Sequence, residues 1–379
     1  MKKVIEMELK TLFSPEKIGN VEVKNRIVRS ATYTHSATKD GYVTDEMIKF
    51  YTNLAKGGTG LIITGITTID KVGTIQPGQT CLYDDSYIEG QKKFVNAVHE
   101  ISDVKIAPQL SHSGRQGLTP IAPSAITFKE GDRMPKELTN EEVKEVVRNF
   151  IDAGRRTYES GYDMIQLNAG HGWLISNFLS PFTNKRTDEY GGNMENRMRM
   201  LVEIYNGIVD EVGKSYPIIV KLQTQDFIDD GLSLEEGKLI AEKLVDLGFA
   251  AIEPSGGSGE ISRLYKIRYP SKKVMAQEDE NYFLPAVKKL NPIMKDCKSI
   301  LMGGVRNALK IESLLQENMM DFIAMSRPLI CEPNLPNRWK EGDLSPPLCN
   351  SCNRCYFSTG SGIVACTVKD KLLQEKLNS

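Results

Sequence analysis

A unit that recurs along the chain constrains its fold more than any other feature of the sequence. Each unit has a short apolar, β-branched run, a polar loop and a longer segment with helical periodicity. Eight such runs occur: NRIVRSA from Asn25, GLIITGI from Gly60, VKIAPQLS from Val104, DMIQLN from Asp163, PIIVKLQ from Pro217, AAIEPSG from Ala250, SILMGGV from Ser299 and DFIAMSR from Asp321. Nearly continuous apolar runs are typical of parallel strands covered on both faces. Eight such units predict an α/β fold, a closed (β/α)8 TIM barrel, with an open doubly wound sheet as the alternative.

The helical segments carry ordinary start and stop signals. Thr139 or Asn140 precedes a Glu-rich first turn, and Ser233 is followed three positions later by Glu236, as in a capping box. Several of these segments end in glycine, as helices tend to do. Helices therefore alternate with the predicted strands.

Chemistry in such a barrel belongs at the carboxyl ends of the strands. Polar residues and glycines follow the predicted strands at that end: residues 32–35, Gln109, His112, residues 168–173, Lys221, Gln223, Gly303, Gly304, Ser326 and Arg327. Loops after the seventh and eighth strands commonly bind phosphate. Here they read MGGVRN and MSRPL, so Gly303 and Gly304 would admit a ligand close to the backbone, and Arg306 and Arg327 could pair with phosphate oxygens. A Gly-Gly turn alone is also a common structural feature.

Charge and hydropathy restrict the partners. The chain has 48 basic and 49 acidic residues without long runs of one sign, which argues against a nucleic-acid groove or an anionic membrane and favours a small-molecule substrate. The start, MKKVIEMELK, lacks the uncharged stretch of a signal peptide. No segment approaches the roughly 20 apolar residues that span a bilayer. We therefore expect a cytoplasmic protein.

The seven cysteines fall into two groups. Cys81, Cys297 and Cys331 are scattered and are expected to be packed residues or surface thiols. Cys349, Cys352, Cys355 and Cys366 are spaced Cys-x2-Cys-x2-Cys-x10-Cys. Thiolates with this spacing can converge on one centre, either a [4Fe–4S] cluster or a tetrahedral zinc, and free thiols are the remaining alternative.

One long segment carries a family resemblance. HGWLISNFLSPFTNKRTDEYGGNMENRMR, from His171 to Arg199, resembles the signature of the old yellow enzyme family of NADH:flavin oxidoreductases. QLSHSGRQ, LFSPEKIGNVEVKNRIVRSA and MSRPL resemble the same family in the same order. The resemblance implies a barrel over residues 1–340 that binds FMN non-covalently and takes electrons from NAD(P)H.

The resemblance also implies roles for individual residues. Ala31, Thr32, Gly65 and Gln109 would line the flavin, and Lys221 would lie at its N1/O2 edge, where a cation stabilises the anionic reduced form. Asn168 and His171 match the pair that hydrogen-bonds the substrate carbonyl. Such donors polarise an α,β-unsaturated carbonyl, so the expected reaction is reduction of an activated C=C bond by hydride from flavin N5.

Trp173 departs from the family pattern. Many members have a tyrosine here that protonates the substrate α-carbon, and an indole N–H cannot act as a general acid. The proton would come from water or from another side chain; candidates in or near predicted loops are Tyr33, His35, His112, Tyr265, Tyr269 and Tyr282. Two other functions stay open: a diaphorase-like or amine-type flavin oxidoreductase, and a flavin/iron–sulfur electron-transfer module acting with a protein partner.

The cysteine segment has a family counterpart too. Long members of the dienoyl-CoA reductase and trimethylamine dehydrogenase type ligate a [4Fe–4S] cluster just after the barrel, with each of the last two gaps one residue longer than here. We therefore expect residues 341–379 to pack on the barrel as a cysteine-cluster segment. No Gly-x-Gly-x-x-Gly occurs on a strand–helix turn, so no pyridine-nucleotide domain of that sort is expected. Electrons would reach FMN from NAD(P)H at the barrel mouth or through a redox partner protein. A homo-oligomer is possible.

Overall fold

A closed barrel of eight parallel strands forms the centre of the molecule, in a computed structural model that describes residues 9–127, 131–266, 270–358 and 362–377. The strands are Ile27–Arg29, Leu61–Thr68, Lys105–Ser111, Ile165–Ala169, Ile218–Gln225, Ala251–Gly256, Lys298–Leu301 and Phe322–Met325. The first strand pairs with the second at Val28 and Leu61, and with the eighth at Ile27 and Ile323. This pairing closes the sheet. The predicted TIM barrel is confirmed, each predicted run contributes one strand, and the open-sheet alternative is wrong.

Helices lie between the strands along the chain and continue after the eighth strand. They are Asp45–Lys56, Ile88–His99, Asn140–Glu159, Leu174–Leu179, Met194–Val212, Leu234–Leu247, Gly259–Tyr265, Leu284–Leu290, Ala308–Gln316, Arg327–Cys331, Leu335–Lys340, Cys355–Ser358 and Lys369–Leu377. Thr139 and Ser233 cap two of them in complete capping boxes with Glu142 and Glu236. Both predicted helix starts are confirmed.

A two-stranded hairpin closes the amino-terminal end of the barrel. Its strands, Glu16–Ile18 and Val21–Val23, are antiparallel. Ile18 and Val23 pack with apolar side chains from inside the barrel: Val28, Leu61, Ile63, Ala107, Met164, Ile219, Ala251, Ile300, Phe322 and Ala324. Two larger apolar clusters lie between the strands and the outer helices. The barrel is therefore filled at this end, and its polar residues lie toward the other end.

Several short elements complete the described chain. Thr80–Cys81 extends the sheet beside the second barrel strand, and Ile121–Ala122 pairs with Lys136–Glu137. Single 3₁₀ turns are formed by Asp85–Tyr87, Gly114–Gln116, Gln277–Asp279 and Asn291–Ile293. Among the helices of the described ranges, none is both long and apolar enough to cross a membrane.

The cysteine-rich segment returns to the barrel after the helix Leu335–Lys340. The backbone N–H of Leu348 donates to Glu332 Oε2 at 3.1 Å, and that of Val364 donates to Thr34 O at 2.9 Å. The segment thus contacts loops at the carboxyl end of the barrel. Its boundary at residue 340 stays a prediction.

Candidate active site

A cavity of about 730 Å³ opens at the carboxyl end of the barrel. Cofactor sites in proteins occupy roughly 300–1,000 Å³, so the volume suits a cofactor with a substrate above it. Eleven of the residues proposed from the sequence line it: Ala31, Thr32, Gln109, Asn168, His171, Lys221, Gly303, Gly304, Arg306, Ser326 and Arg327. Gly65 lies instead behind Thr32, where an added Cβ would come within 2.6 Å of the Thr32 carbonyl oxygen.

The ammonium group of Lys221 belongs to a buried polar network. Its Nζ lies 3.1 Å from Glu253 Oε1 and donates to Ser30 Oγ at 2.9 Å. Gln166 Nε2 donates to Glu253 Oε2 at 2.8 Å, and Gln109 Nε2 donates to Gln166 Oε1 at 2.7 Å. A continuous chain of hydrogen bonds therefore joins the two cavity-lining residues, Lys221 and Gln109, beneath the floor of the cavity.

Glu253 and Gln166 were not among the residues predicted for the site. Each follows apolar residues within its predicted strand: Glu253 follows AAI in AAIEPSG, and Gln166 follows MI in DMIQLN. A charged or amide side chain inside a strand that is covered on both faces must find a partner in the barrel interior, since an unpaired one is costly to bury. That mismatch between residue and surroundings is the signal that could have found them.

The end of the cavity that is predicted to bind phosphate is formed by the loops after the seventh and eighth strands. Gly303 and Gly304 have φ of 98° and 79°, and an added Cβ on Gly303 would lie 2.7 Å from the ring of Phe283. Only glycine fits such a backbone without strain. Arg306 and Arg327 stand beside these loops and line the cavity.

Both arginines also bind the cysteine-rich segment. Arg306 Nη2 donates to Cys349 O at 2.7 Å and to Ser351 Oγ at 2.9 Å. Arg327 Nη1 donates to Asn353 Oδ1 at 2.6 Å. Within the described part of the chain the buried Nε of Arg306 has no hydrogen-bond partner. An unused buried donor beside a glycine-rich loop fits a phosphate oxygen.

Asn168 and His171 face the same cavity from the end of the fourth strand and the turn after it. Asn168 is buried, and its Nδ2 donates to Ser111 Oγ at 3.1 Å. His171 has a left-handed backbone, with φ of 61°, and its Nε2 hydrogen-bonds Ser255 Oγ. Burial, with a smaller contribution from the charge of Lys221, lowers the pKa of His171 to about 3. The imidazole is therefore neutral at physiological pH.

Trp173 lines the cavity at the position where the family pattern has tyrosine. Of the alternative proton donors, Tyr33 and Tyr282 also line it, and their hydroxyls donate to Pro77 O at 2.9 Å and Pro270 O at 2.8 Å. Burial raises the pKa of Tyr33 to about 12.

The other proposed donors are placed differently. His35 Nδ1 lies 3.3 Å from Gly362 O, and His112 is buried with Nε2 3.4 Å from Asp70 Oδ1. Tyr269 and the side chain of Tyr265 lie outside the described residues. Tyr356 also lines the cavity and provides a further phenol, although it was not among the predicted proton donors.

The four clustered cysteines line a second, smaller pocket: Cys349, Cys352, Cys355 and Cys366. Burial raises the pKa of Cys349 and of Cys355. In the ranges that the structure describes, no three His, Cys, Asp or Glu side chains are arranged to hold a metal ion. Four thiols around one pocket are nevertheless the donor set of a [4Fe–4S] cluster or of zinc.

The three scattered cysteines are buried, as packed residues are, and none forms a disulfide. Cys331, at the end of the helix Arg327–Cys331, has a neighbour that the sequence did not predict. Burial and a contact with the thiol of Cys366 raise its pKa. A fifth thiol therefore lies at the edge of the cysteine cluster.

A family model described as "NADH:flavin oxidoreductase / NADH oxidase family" matches residues 11–344. The chain belongs to this family. The resemblance inferred from the signature segment is thereby confirmed, and the family supports FMN and NAD(P)H as cofactors. The glycine-rich loops, Arg306 Nε and Lys221 around a cavity of this size fit FMN.

Several relatives in the NADH:flavin oxidoreductase / NADH oxidase family are longer than this chain. An NADH oxidase of Thermoanaerobacter brockii is 36% identical over 351 residues, covering 90% of this chain and 52% of that protein. A 2-naphthoyl-CoA reductase structure is 28% identical with a TM-score of 0.87, covering 97% of this chain and 58% of the other. Histamine dehydrogenase of Rhizobium sp. 4-9 is 26% identical with a TM-score of 0.83, and the match covers 97% of this chain and 53% of the other. The chain spans about half the length of the curated relatives it matches first.

Proposed function

We propose that the chain is an FMN-dependent oxidoreductase that uses NAD(P)H to reduce an activated C=C bond of an α,β-unsaturated carbonyl compound, an enoate or a similar small molecule. The observation that carries this proposal is the position of Asn168 and His171 in one cavity with Lys221 and Gln109. Two neutral hydrogen-bond donors and a cation then surround the space where a flavin and a carbonyl substrate would stack. The similarity to 2-naphthoyl-CoA reductase supports a reductase.

Each side chain has a defined task in this reaction. Bound FMN supplies hydride chemistry at N5. Asn168 and the neutral His171 donate to the substrate carbonyl oxygen, where negative charge develops as the β-carbon accepts hydride. Lys221 would hold the edge of the flavin and would stabilise negative charge there. The α-carbon then takes a proton from water or from one of the phenols in the lining, since Trp173 cannot supply it.

Anaerobic stopped-flow spectroscopy tests the proposal. The holoenzyme is reduced with NADH or NADPH and then mixed with cyclic enones, enoates and enoyl thioesters, while flavin absorbance is followed. We expect at least one class to reoxidise the flavin rapidly, and the Asn168→Ala/His171→Ala double variant to lose this step while NAD(P)H still reduces the flavin. Failure of every compound in the panel to reoxidise the wild-type flavin would exclude the proposed reaction.

We further propose that Cys349, Cys352, Cys355 and Cys366 hold a [4Fe–4S] cluster. Their shared pocket supports this proposal, as does the presence of two arginines, Arg306 and Arg327, which contact the same segment. Iron, acid-labile sulfide and zinc are counted in protein purified without oxygen. About four irons and four sulfides per chain are expected. A result of one zinc and no sulfide per chain would show a structural zinc site in place of the cluster. A result of no iron and no zinc would show that the four cysteines are free thiols.

Trp173 favours a second candidate, oxidation of an amine substrate, because that reaction needs no proton donor at this position. The likeness to histamine dehydrogenase supports it. In this case primary or secondary amines would reduce the flavin without NAD(P)H. The same stopped-flow apparatus distinguishes the two reactions, since amines act in the reductive half-reaction and enones in the oxidative one. A redox partner protein and a homo-oligomer stay predictions.

A further inference from the structure

Glu253 is a fully buried carboxylate beneath the cavity, under two residues that line it, Lys221 and Ser30. Its Oε1 accepts from Ser30 Oγ at 2.7 Å and lies 3.1 Å from Lys221 Nζ. Its Oε2 accepts from Gln166 Nε2 at 2.8 Å. Each oxygen therefore has a donor, and the carboxylate is held in one position without contacting a ligand in the cavity.

The position of Glu253 changes what Lys221 presents to the cavity. An ammonium group 3.1 Å from a carboxylate in a dry interior has much of its field cancelled at longer range. Lys221 Nζ also donates to Ser30 Oγ, which leaves one of its three N–H bonds for a ligand. Lys221 therefore acts as a directed donor with a partly neutralised charge.

A second branch of the same network reaches Gln109. Gln166, which is fully buried, donates from Nε2 to Glu253 and accepts at Oε1 from Gln109 Nε2 at 2.7 Å. The carboxylate can only accept, so it fixes which end of the Gln166 amide is the donor, and this in turn fixes the Gln109 amide. One carboxylate thus orients two polar residues of the cavity lining, Lys221 and Gln109.

We propose that Glu253 is a positioning residue that lowers the two-electron reduction potential of bound FMN by neutralising Lys221. The inference rests on the proposed binding of FMN with Lys221 at its edge. A partly cancelled cation stabilises anionic reduced flavin less than a free one, so the holoenzyme is a stronger reductant than Lys221 alone would make it. Such a potential suits transfer of hydride onward to a weakly electrophilic C=C bond.

The test is a potentiometric titration of the Glu253→Gln holoenzyme. Glutamine keeps an acceptor for Lys221 or Gln166 and removes the negative charge. We expect the reduction equilibrium constant of FMN to rise at least tenfold, which is a shift of about 30 mV to more positive potential for a two-electron couple. Glu312→Gln is the matched control, because Glu312 is equally buried but accepts from the backbone of Thr11 and Leu12. The reduction potential of FMN in the Glu312→Gln variant should equal that in the wild type.

A second variant keeps the proposal testable if Glu253→Gln does not fold. Lys221→Met/Glu253→Gln removes both charges and is compared with Lys221→Met. Because the Glu253 carboxylate lowers the potential of FMN by our proposal, the double variant should have a reduction equilibrium constant at least tenfold above that of Lys221→Met, a shift of about 30 mV. Equal potentials in these two variants, or an unchanged potential in Glu253→Gln, would overturn the inference. Wild-type protein that binds no FMN would instead overturn the proposed function.

Discussion

His171 is held neutral by its surroundings. Burial and the charge of Lys221 lower its pKa to about 3, whereas an exposed histidine titrates near 6.5. Between these two values the unfolded chain binds more protons at this residue than the folded chain. This histidine therefore makes folding less favourable as the pH falls from about 6.5 toward 3, and stability is regained as the pH rises through that window.

The neutral state of His171 gives a pH prediction. Binding of a carbonyl ligand should not change between pH 5 and pH 8 through this residue, since the neutral imidazole keeps one N–H donor over this range and gains a second proton only near the lowered pKa. NMR of the imidazole carbons, assigned with His171→Asn, measures the titration directly. A titration midpoint near 6.5 for the His171 signals would contradict the prediction.

Trp173 offers a second prediction at the residue scale. Trp173→Tyr places a phenol in the cavity where the family pattern has one, and a positioned general acid typically contributes roughly 100-fold or more. We expect enone-dependent flavin reoxidation to become at least tenfold faster, with reduction by NAD(P)H unchanged. Trp173→Phe is the matched control, because it changes the size of the side chain without adding an acid. An equal gain in both variants would show that space, and not a proton, limits the step.

The cysteine-rich segment is the element that joins the two candidate centres. It supplies Asn353, whose side-chain oxygen accepts from Arg327 Nη1 at 2.6 Å and whose Nδ2 donates to Ser271 O at 3.1 Å. Asn353 thereby holds the guanidinium of Arg327 in one orientation at the end of the cavity that is predicted to bind phosphate. A side chain ordered before binding loses less entropy when a ligand arrives.

This contact predicts an effect of the segment on flavin binding. Asn353→Ala frees Arg327 and should weaken FMN binding to apoprotein by about 1 kcal/mol, or roughly fivefold. Quenching of flavin fluorescence measures the dissociation constant. Asn350→Ala is the control, because its side chain accepts locally from Cys352 N at 3.3 Å and should leave FMN affinity unchanged. Equal losses of FMN affinity in Asn353→Ala and Asn350→Ala would show a general effect of disturbing the cysteine-rich segment.

Elements with local signals were predictable, and contacts between distant elements were not. The eight strands and the caps at Thr139 and Ser233 follow from hydrophobic runs and from residues a few positions apart. The cavity lining followed from the rule that strand ends carry the chemistry. For Gly65 the role at the flavin stays a prediction, because facing a ligand and packing behind a loop require the same small residue. The link between Glu253 and Lys221 joins neighbouring strands in three dimensions, and no sequence spacing encodes it.

At the scale of the whole molecule, Glu312 joins the two ends of the barrel domain. Its carboxylate accepts from the backbone N–H groups of Thr11 and Leu12, both at 2.9 Å, across about 300 residues of chain. Glu312→Ala leaves these donors without that partner and should reduce the free energy of unfolding by about 2 kcal/mol. Urea denaturation measures it. Glu317→Ala, exposed at the end of the same helix, should change stability by less than about 0.5 kcal/mol.

The first strand pairs with the last, and the walls of the cavity come from residues between Ser30 and Tyr356. During synthesis on the ribosome the first strand therefore waits, with an unpaired edge, until the eighth strand, Phe322–Met325, has been made. Unpaired edges of this kind are prone to join other chains. A pocket for FMN is incomplete during that time, so we expect cofactor uptake only after the residues up to Tyr356 have been made. The amount of active protein in a cell will then depend on chaperones and on the flavin supply at the moment when each new chain closes its barrel.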